Sequence, residues 1–388
     1  MVFLINIKDL LNLFLLKTKK KIVVVLSGIN KSVYFEHFLS RLSKEEYEIY
    51  VILLNSGDSF IEQFLLDQGI FYKRLRYASK FHSVFVTIRL ILEFIKFRPC
   101  IVHAHLFDAG LTSMLAARLA FIRKRVYTRH HSDLHHVYHS HAVKYDKFIN
   151  FLATDVIAVS EIVKEILLTM EYCHERKVHV VPNAFDFSLM TATSVDRKQA
   201  LIEKYSIPID KFRIGVISRF VDWKGVIYIL EAFTEVIKKG ADSYLILANA
   251  KGPMEEEVVR RLKELPDDSY CLIDFEPDNY ALISNFDVFV HTPVSKFSES
   301  FGQVYIEALA LKVPMVATLS GIAGEILVNE ENCLVVPFRN SKAIYEAIMK
   351  LKSDDFLIQK LKSAELPLNL QSFHFSNHMK RILHIYSS

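Results

Sequence analysis

Residues Phe297 to Glu325 read FSESFGQVYIEALALKVPMVATLSGIAGE, and the reading of this stretch decides the fold. Just ahead of it, Phe286-Asp287-Val288-Phe289-Val290-His291 is a short, nearly unbroken apolar run, and within it Val313-Pro314-Met315-Val316-Ala317 is a second. Two such runs separated by a helical pattern predict neighbouring parallel strands buried on both faces. Between them, Ser298 or Ser300 can cap a helix that opens near Gly302 and turns Tyr305, Ile306, Leu309 and Ala310 toward the sheet.

Two carboxylates stand out in the same stretch. Glu299 sits at the helix mouth, where the helix dipole alone stabilises a negative charge by about 0.3–1 kcal/mol. Glu307 lies about two turns further on among apolar residues, and a buried carboxylate without a partner is costly. The strand, turn and helix start also form an anion site, with free N–H groups around Phe301, Gly302 and Gln303. Acceptor side chains on either side of that site fit a ligand with phosphate in the middle and a sugar ring at each end.

At these residues the chain resembles a known family. Glu299-Ser300-Phe301-Gly302-Gln303-Val304-Tyr305-Ile306-Glu307 is an E-x7-E motif, followed by V-P-M-V-A-T and G-x-x-G-E segments. Together they are similar to the retaining glycosyltransferases of family 4, which have the GT-B architecture. The resemblance implies an α/β fold of two Rossmann-like parallel-sheet domains facing an interdomain cleft. It runs from about Lys21 to the C-terminus, and its most specific part is the second half.

Length and composition agree with that reading. A chain of 388 residues, 51% of them hydrophobic, suits two α/β cores better than one. The formal charge of +4 fits an anionic ligand or an acidic membrane surface, and no nucleic-acid-binding signature accompanies it. Cys100, Cys173, Cys271 and Cys333 are scattered without C-x-x-C spacing, so a reducing, cytoplasmic setting is expected rather than a disulfide framework. The first twenty residues place Phe3, Leu4, Ile7, Leu10, Leu11 and Phe14 at helical spacing ahead of Lys17, Lys19, Lys20 and Lys21. That segment is too short to span a bilayer and lacks the order of a signal peptide. A helix lying on the inner face of the membrane and a helix packed on the protein itself both satisfy its pattern.

From the sequence, residues 1–20 form this amphipathic segment and 21–190 an N-terminal acceptor domain. Residues 191–370 form a C-terminal donor domain, and 371–388 a helix returning to the first domain. Lys21–Gly28 reads as a first strand and turn, Val33–Leu42 as a helix and Glu48–Leu54 as a second strand. Where relatives often carry paired glycines after the first strand, Gly28 alone remains, in Ser27-Gly28-Ile29-Asn30-Lys31. Gly28 is an expected donor-binding residue of the first domain, and an ordinary strand-to-helix turn is the competing account. Phe85–Phe97 is a strongly apolar helix leading into Cys100-Ile101-Val102-His103-Ala104-His105. Val178–Asp186 resembles the segment closing the first domain, with Ala184 in place of the usual glycine.

Arg125-Val126-Tyr127-Thr128-Arg129-His130-His131 ends at a sheet's carboxyl edge, where ligands of open α/β sheets bind. The resemblance places a histidine there beside the donor sugar, with His130 the better match and His131 the alternative. His135 and His139 have a metal-capable i, i+4 spacing, but Asp133 is their only acidic neighbour in sequence, and no metal site is expected. Phe212-Arg213-Ile214-Gly215-Val216-Ile217-Ser218-Arg219 and Phe220-Val221-Asp222-Trp223-Lys224-Gly225 resemble the family's strand and turn that hold the nucleotide diphosphate. Arg219 offers a planar fork to phosphate oxygens, and Lys224 a compact charge.

The resemblance thus implies a sugar transferase that uses a nucleotide-sugar donor, most simply a UDP-sugar, as co-substrate and needs no other cofactor. Glu307 would hold the ribose and Glu299 the transferred sugar. Arg219, Lys224 and the amides of Ser300 to Gln303 would stabilise the leaving diphosphate, and His130 would contact the donor sugar. The acceptor would be a glycan or a lipid-linked glycan in surface polysaccharide assembly. No D-x-D triplet occurs, so a metal-independent reaction is expected. A sugar-nucleotide epimerase, a phosphorylase and a non-catalytic partner subunit on the same architecture are the rival readings.

Overall fold

The structure, a computed structural model, describes residues 19–42, 47–191, 193–364 and 372–388. The amphipathic start expected over residues 1–20 therefore lies almost wholly outside the described residues. Two sheets form the framework. The first comprises β1 (Lys20–Ser27), β2 (Tyr47–Asn55), β3 (Phe71–Arg76), β4 (Ile101–His105), β5 (Lys124–Arg129), β6 (Asp155–Ala158) and β7 (Val178–Val180), in the order β3-β2-β1-β4-β5-β6-β7. The second comprises β8 (Phe212–Ile217), β9 (Ser243–Ala248), β10 (Tyr270–Ile273), β11 (Val288–His291), β12 (Met315–Ala317) and β13 (Leu334–Val335), in the order β10-β9-β8-β11-β12-β13.

Each sheet grows outward in two directions from a central pair. β1 pairs in parallel with β2 and β4, and β8 pairs in parallel with β9 and β11. The strand order therefore reverses between β1 and β4 and again between β8 and β11. Loops leaving the two strands of such a pair diverge to opposite faces and open a crevice at the carboxyl edge. The parallel pairing of β11 with β12, Phe289 opposite Met315 and His291 opposite Ala317, is the pairing expected from the two apolar runs.

The chain packs as two compact units, Met1–Arg129 with Lys144–Ile157 and Arg381–Ser388, and His130–Val143 with Ala158–Lys380. In the first, Ile22 to Leu26 of β1 are fully buried, as an all-apolar central strand covered on both faces should be. The helices α1 (Val33–Leu42) and α2 (Ser83–Phe97) follow β1 and β3, and α2 buries Val86, Thr87, Leu90 and Phe94. The end of the closing helix is tied into this unit by Tyr386, whose hydroxyl lies 2.6 Å from Nδ1 of the buried His103 on β4.

In the second unit, Ile214, Val216, Leu245, Leu247, Val288, Val290 and Val316 form the sheet's part of one core. Onto it pack α3 (Val226–Lys238) and, from nearer the C-terminus, the helix Ser341–Ser353. Each fully buried aliphatic side chain there contributes about 1.5–3 kcal/mol. The helix of the opening motif, α4 (Gln303–Ala310), buries Tyr305 to Leu309. Its cap differs from expectation. Gly302 occupies the N-cap in a left-handed conformation, without a side-chain cap bond. The two serines are committed elsewhere, Ser298 to Ser295 and Ser300 to the carbonyl of His130.

Candidate active site

The site is built at the carboxyl edge of β8 and β11, within the second unit. After β8 the chain turns through Asp222-Trp223-Lys224 into Gly225, where α3 begins. Gly225 has φ +72°, and a Cβ there would meet the carbonyl oxygen of Thr292 at 2.1 Å, so only glycine lets the turn lie this close to the loop after β11. The amide of Val294 donates to the carbonyl of Trp223 at 3.1 Å and fastens the two loops together. That approach brings the ammonium of Lys224 onto Oε1 of Glu299.

Glu299 is held from several directions. Nε2 of His291, the last residue of β11, lies 2.9 Å from the same Oε1, and the Glu299 amide donates to Oγ of Ser320 at 3.0 Å. His291 is buried and packs edge-on against Tyr305, 4.9 Å between ring centres. Burial alone would raise the carboxyl of Glu299, but Lys224 and His291 outweigh it and hold the pKa down to about 2. Burial in turn lowers the pKa of His291 against the pull of Glu299, so a neutral ring with its Nε2–H donated to the carboxylate satisfies both groups.

A cavity of about 430 Å³ opens over this cluster, and every lining residue belongs to the second unit. Glu299, Ser300, Lys224, Arg219, His130 and His131 all line it. Arg219 is exposed at the end of β8, and its guanidinium has no acidic partner among the described residues. His130 is pushed down to about 3 by burial and by the neighbouring His131 and His378, so a neutral imidazole faces the cavity at pH 7.

The remaining motif residues take other positions. Phe301 is buried, with its ring stacked 6.1 Å from Phe185 and edge-on to Phe373 at 5.9 Å. Gly302 and Gln303 start α4. Glu307 is buried one face further along α4 and has no hydrogen-bond or ionic partner among the described residues; burial raises its carboxyl to about 7. Gly28 lies in the first unit, after β1 with φ +64°, and lines a different cavity of about 450 Å³ with Asn30, Asn55, Tyr77 and Asp108.

Two sequence models cover most of the chain. The one described as "Glycosyl transferases group 1" matches residues 197–365, and the one described as "Glycosyltransferase Family 4" matches residues 32–189. Staphylococcus aureus CapM, a capsular polysaccharide biosynthesis glycosyltransferase, is 28% identical over 81% of this chain and 83% of its own. The chain is a family 4-like GT-B glycosyltransferase. Solved structures share its fold. Anabaena HepE in complex with UDP-glucose superposes with a TM-score of 0.81 at 18% identity, over 95% of this chain and all of its own. The UDP-GlcNAc 2-epimerase of Neisseria meningitidis, bound to UDP-GlcNAc, superposes at 0.64 and 15% identity, over 94% of this chain and 99% of its own.

Three residues at or directly behind the cavity wall escape the sequence reading. His291 ends an apolar strand, and a polar residue at a strand's carboxyl end beside a switch point is the signal that could have found it. Tyr138 donates to Oδ2 of Asp222 at 2.8 Å and packs 5.0 Å from Trp223 at the cavity wall. Arg339, two residues beyond Pro337, adds another exposed cation to the lining.

Proposed function

We propose that the protein transfers a sugar from a nucleotide diphosphate donor, a UDP-sugar by preference, to a glycan or lipid-linked acceptor with retention of anomeric configuration. The observation that carries this reading is the unpartnered Arg219 beside the Lys224–Glu299–His291 cluster in one cavity. A free guanidinium and an ammonium with one carboxylate form a place for a doubly charged group, and a diphosphate supplies that charge. The bond between the sugar's anomeric carbon and the diphosphate oxygen breaks, and the acceptor hydroxyl bonds to the same face of the ring. Its proton passes to the departing diphosphate. Arg219 and Lys224 take up the charge that develops on that oxygen, together with amides from Ser300 to Gln303. When the ammonium turns to phosphate, Glu299 is released to accept hydroxyls of the transferred sugar. Glu307, which lacks a partner, accepts the ribose hydroxyls, and the neutral His130 contacts the sugar.

The resemblance to CapM supports a role in surface polysaccharide assembly. The HepE complex supports UDP-glucose as the first donor to try. Incubation with a panel of nucleotide sugars and lipid-linked or free glycan acceptors tests the reading, with release of nucleotide diphosphate and an α- or β-linkage matching the donor as the expected result. Activity unchanged by EDTA is expected from the cationic pair. The likeness to the epimerase favours one second reading, isomerisation of the donor. An isomerised nucleotide sugar formed from donor alone, with no transfer, would establish that reading instead.

A further inference from the structure

Helix α2 of the first unit carries an apolar face that, among the described residues, is left exposed. Phe81 in the turn ahead of it is 96% exposed and Val84 is 73% exposed, while Phe85, Ile88, Leu92 and Ile95 are each more than half exposed. At 100° per residue these six positions fall within about 100° of one another, a single stripe. The buried residues Val86, Leu90 and Phe94 lie on the opposite side, so the stripe is a second apolar face on one helix. Contiguous exposed apolar patches of this kind mark interaction surfaces.

Among the described residues, the charges flanking the stripe on this helix have one sign. Arg89 and Lys96 are exposed along its edge, and Lys80 and Arg98 are exposed at its two ends. The guanidinium of Arg89 lies 5.1 Å from the ring centre of Phe85, its stem laid along the apolar face and its charge at the rim. The helix has one acid, Glu93, and it is turned away to bond the Tyr50 hydroxyl and Lys73. A stripe of Phe, Ile, Leu and Val bordered only by cations is the pattern of a helix that lies in a membrane surface bearing anionic headgroups.

We infer that this face of α2 docks the protein on an anionic lipid bilayer. The six apolar side chains enter the headgroup region, and Lys80, Arg89, Lys96 and Arg98 bind lipid phosphates around them. The inference is independent of the reading of the cavity in the second unit, and it concerns a different segment from the amphipathic residues 1–20. Described helices are not long and apolar enough to cross a membrane, so this contact is with the surface.

Co-sedimentation of the full chain with vesicles tests it. Phosphatidylglycerol vesicles should bring the protein down, and phosphatidylcholine vesicles should do so far less. The triple variant Phe85→Ser, Ile88→Ser, Leu92→Ser should weaken binding to phosphatidylglycerol by about tenfold or more. Arg89→Glu with Lys96→Glu should remove the preference for the anionic lipid, and both variants should keep the wild-type circular dichroism spectrum. Three results would overturn the inference: no sedimentation with phosphatidylglycerol, binding unaltered by the two variants, or loss of binding only on Leu10→Ser, Leu11→Ser and Phe14→Ser. A concentration-dependent dimer abolished by the triple variant, without vesicle binding, would assign the face to a second copy instead.

Discussion

The two sheets present the same architectural opening and fill it differently. β1 with β4, and β8 with β11, are both switch points, and both first strands end in a turn that leads toward a helix. Behind β1 the turn holds Gly28 in open space, and the cavity beside it is lined by neutral or acidic groups such as Asn30, Asn55 and Asp108, with Lys80 the cation. Behind β8, Gly225 is pressed against Thr292, Lys224 is driven onto Glu299, and Arg219 and Arg339 stand exposed. Topology provides an edge at which a ligand can bind, and the side chains delivered there decide its charge. The second edge carries exposed cations beside a buried ion pair, and the first is lined mainly by neutral and acidic groups.

The largest effect should come from removing the ion-paired cation of the second edge. Lys224→Ala is expected to lower kcat/KM for transfer by about 10²–10³-fold, the usual loss of one donor aimed at a developing oxyanion. It also leaves Glu299 buried without its ion pair, so the carboxyl's pKa should climb from about 2 when followed by NMR titration. Glu299's stabilising contribution is present above its ordinary pKa near 4.5 and is lost as pH falls toward about 2, a window that should shift upward in the variant.

A smaller loss is expected from His291→Leu, on the order of tenfold in kcat with KM little changed, because His291 orients Glu299 and does not itself face the lining. His291→Gln, which restores a donor, should recover part of that loss. Equal damage in both variants would reduce His291 to a packing role.

Glu307 sharpens the contrast by its acidity. Its carboxyl is raised from 4.5 to about 7 by burial, so the folded chain resists ionising it, and its cost grows as pH rises from about 4.5 to about 7. The full cost is roughly 3 kcal/mol at about 1.36 kcal/mol per pH unit. Glu307→Gln should therefore be the more stable protein in melting experiments at pH 8 and no more stable at pH 4. If the carboxylate is the form that binds ribose, UDP affinity in the unaltered chain should strengthen between pH 6 and 8, and the Gln variant should show a flat profile.

The smallest effect belongs to the first edge. Gly28→Ala meets no atom within 4 Å and carries only the left-handed backbone penalty of about 1–2 kcal/mol. A melting temperature lowered by a few degrees with transfer nearly intact is expected. A loss as severe as that of Lys224→Ala would show that donor phosphate also approaches Gly28.

Much of this was readable in the chain itself. Val33–Leu42 is a helix to the residue, and the apolar runs around the E-x7-E motif are neighbouring parallel strands, because burial on both faces leaves a strong local signature. That Arg219, Lys224 and Glu299 come together was legible because each lies in a turn next to a recognisable strand or helix. The cap was misread because Ser300 has a tertiary use, donating to the carbonyl of His130, that local spacing does not reveal. Tyr138 and Arg339 come to the cavity wall, and His291 comes to Glu299 behind it, from three separate segments that only packing brings together.

The claim on which the rest depends is that the second edge holds a nucleotide diphosphate, and calorimetric titration of UDP into the Arg219→Ala variant tests it most directly. Arg219 is exposed and has no partner among the described residues, so its removal should leave the fold and the melting temperature unchanged. The account predicts UDP binding weakened by about tenfold or more, in line with loss of a charge-assisted hydrogen-bond pair of about 1.5–3 kcal/mol. Unchanged affinity in a folded variant would contradict it.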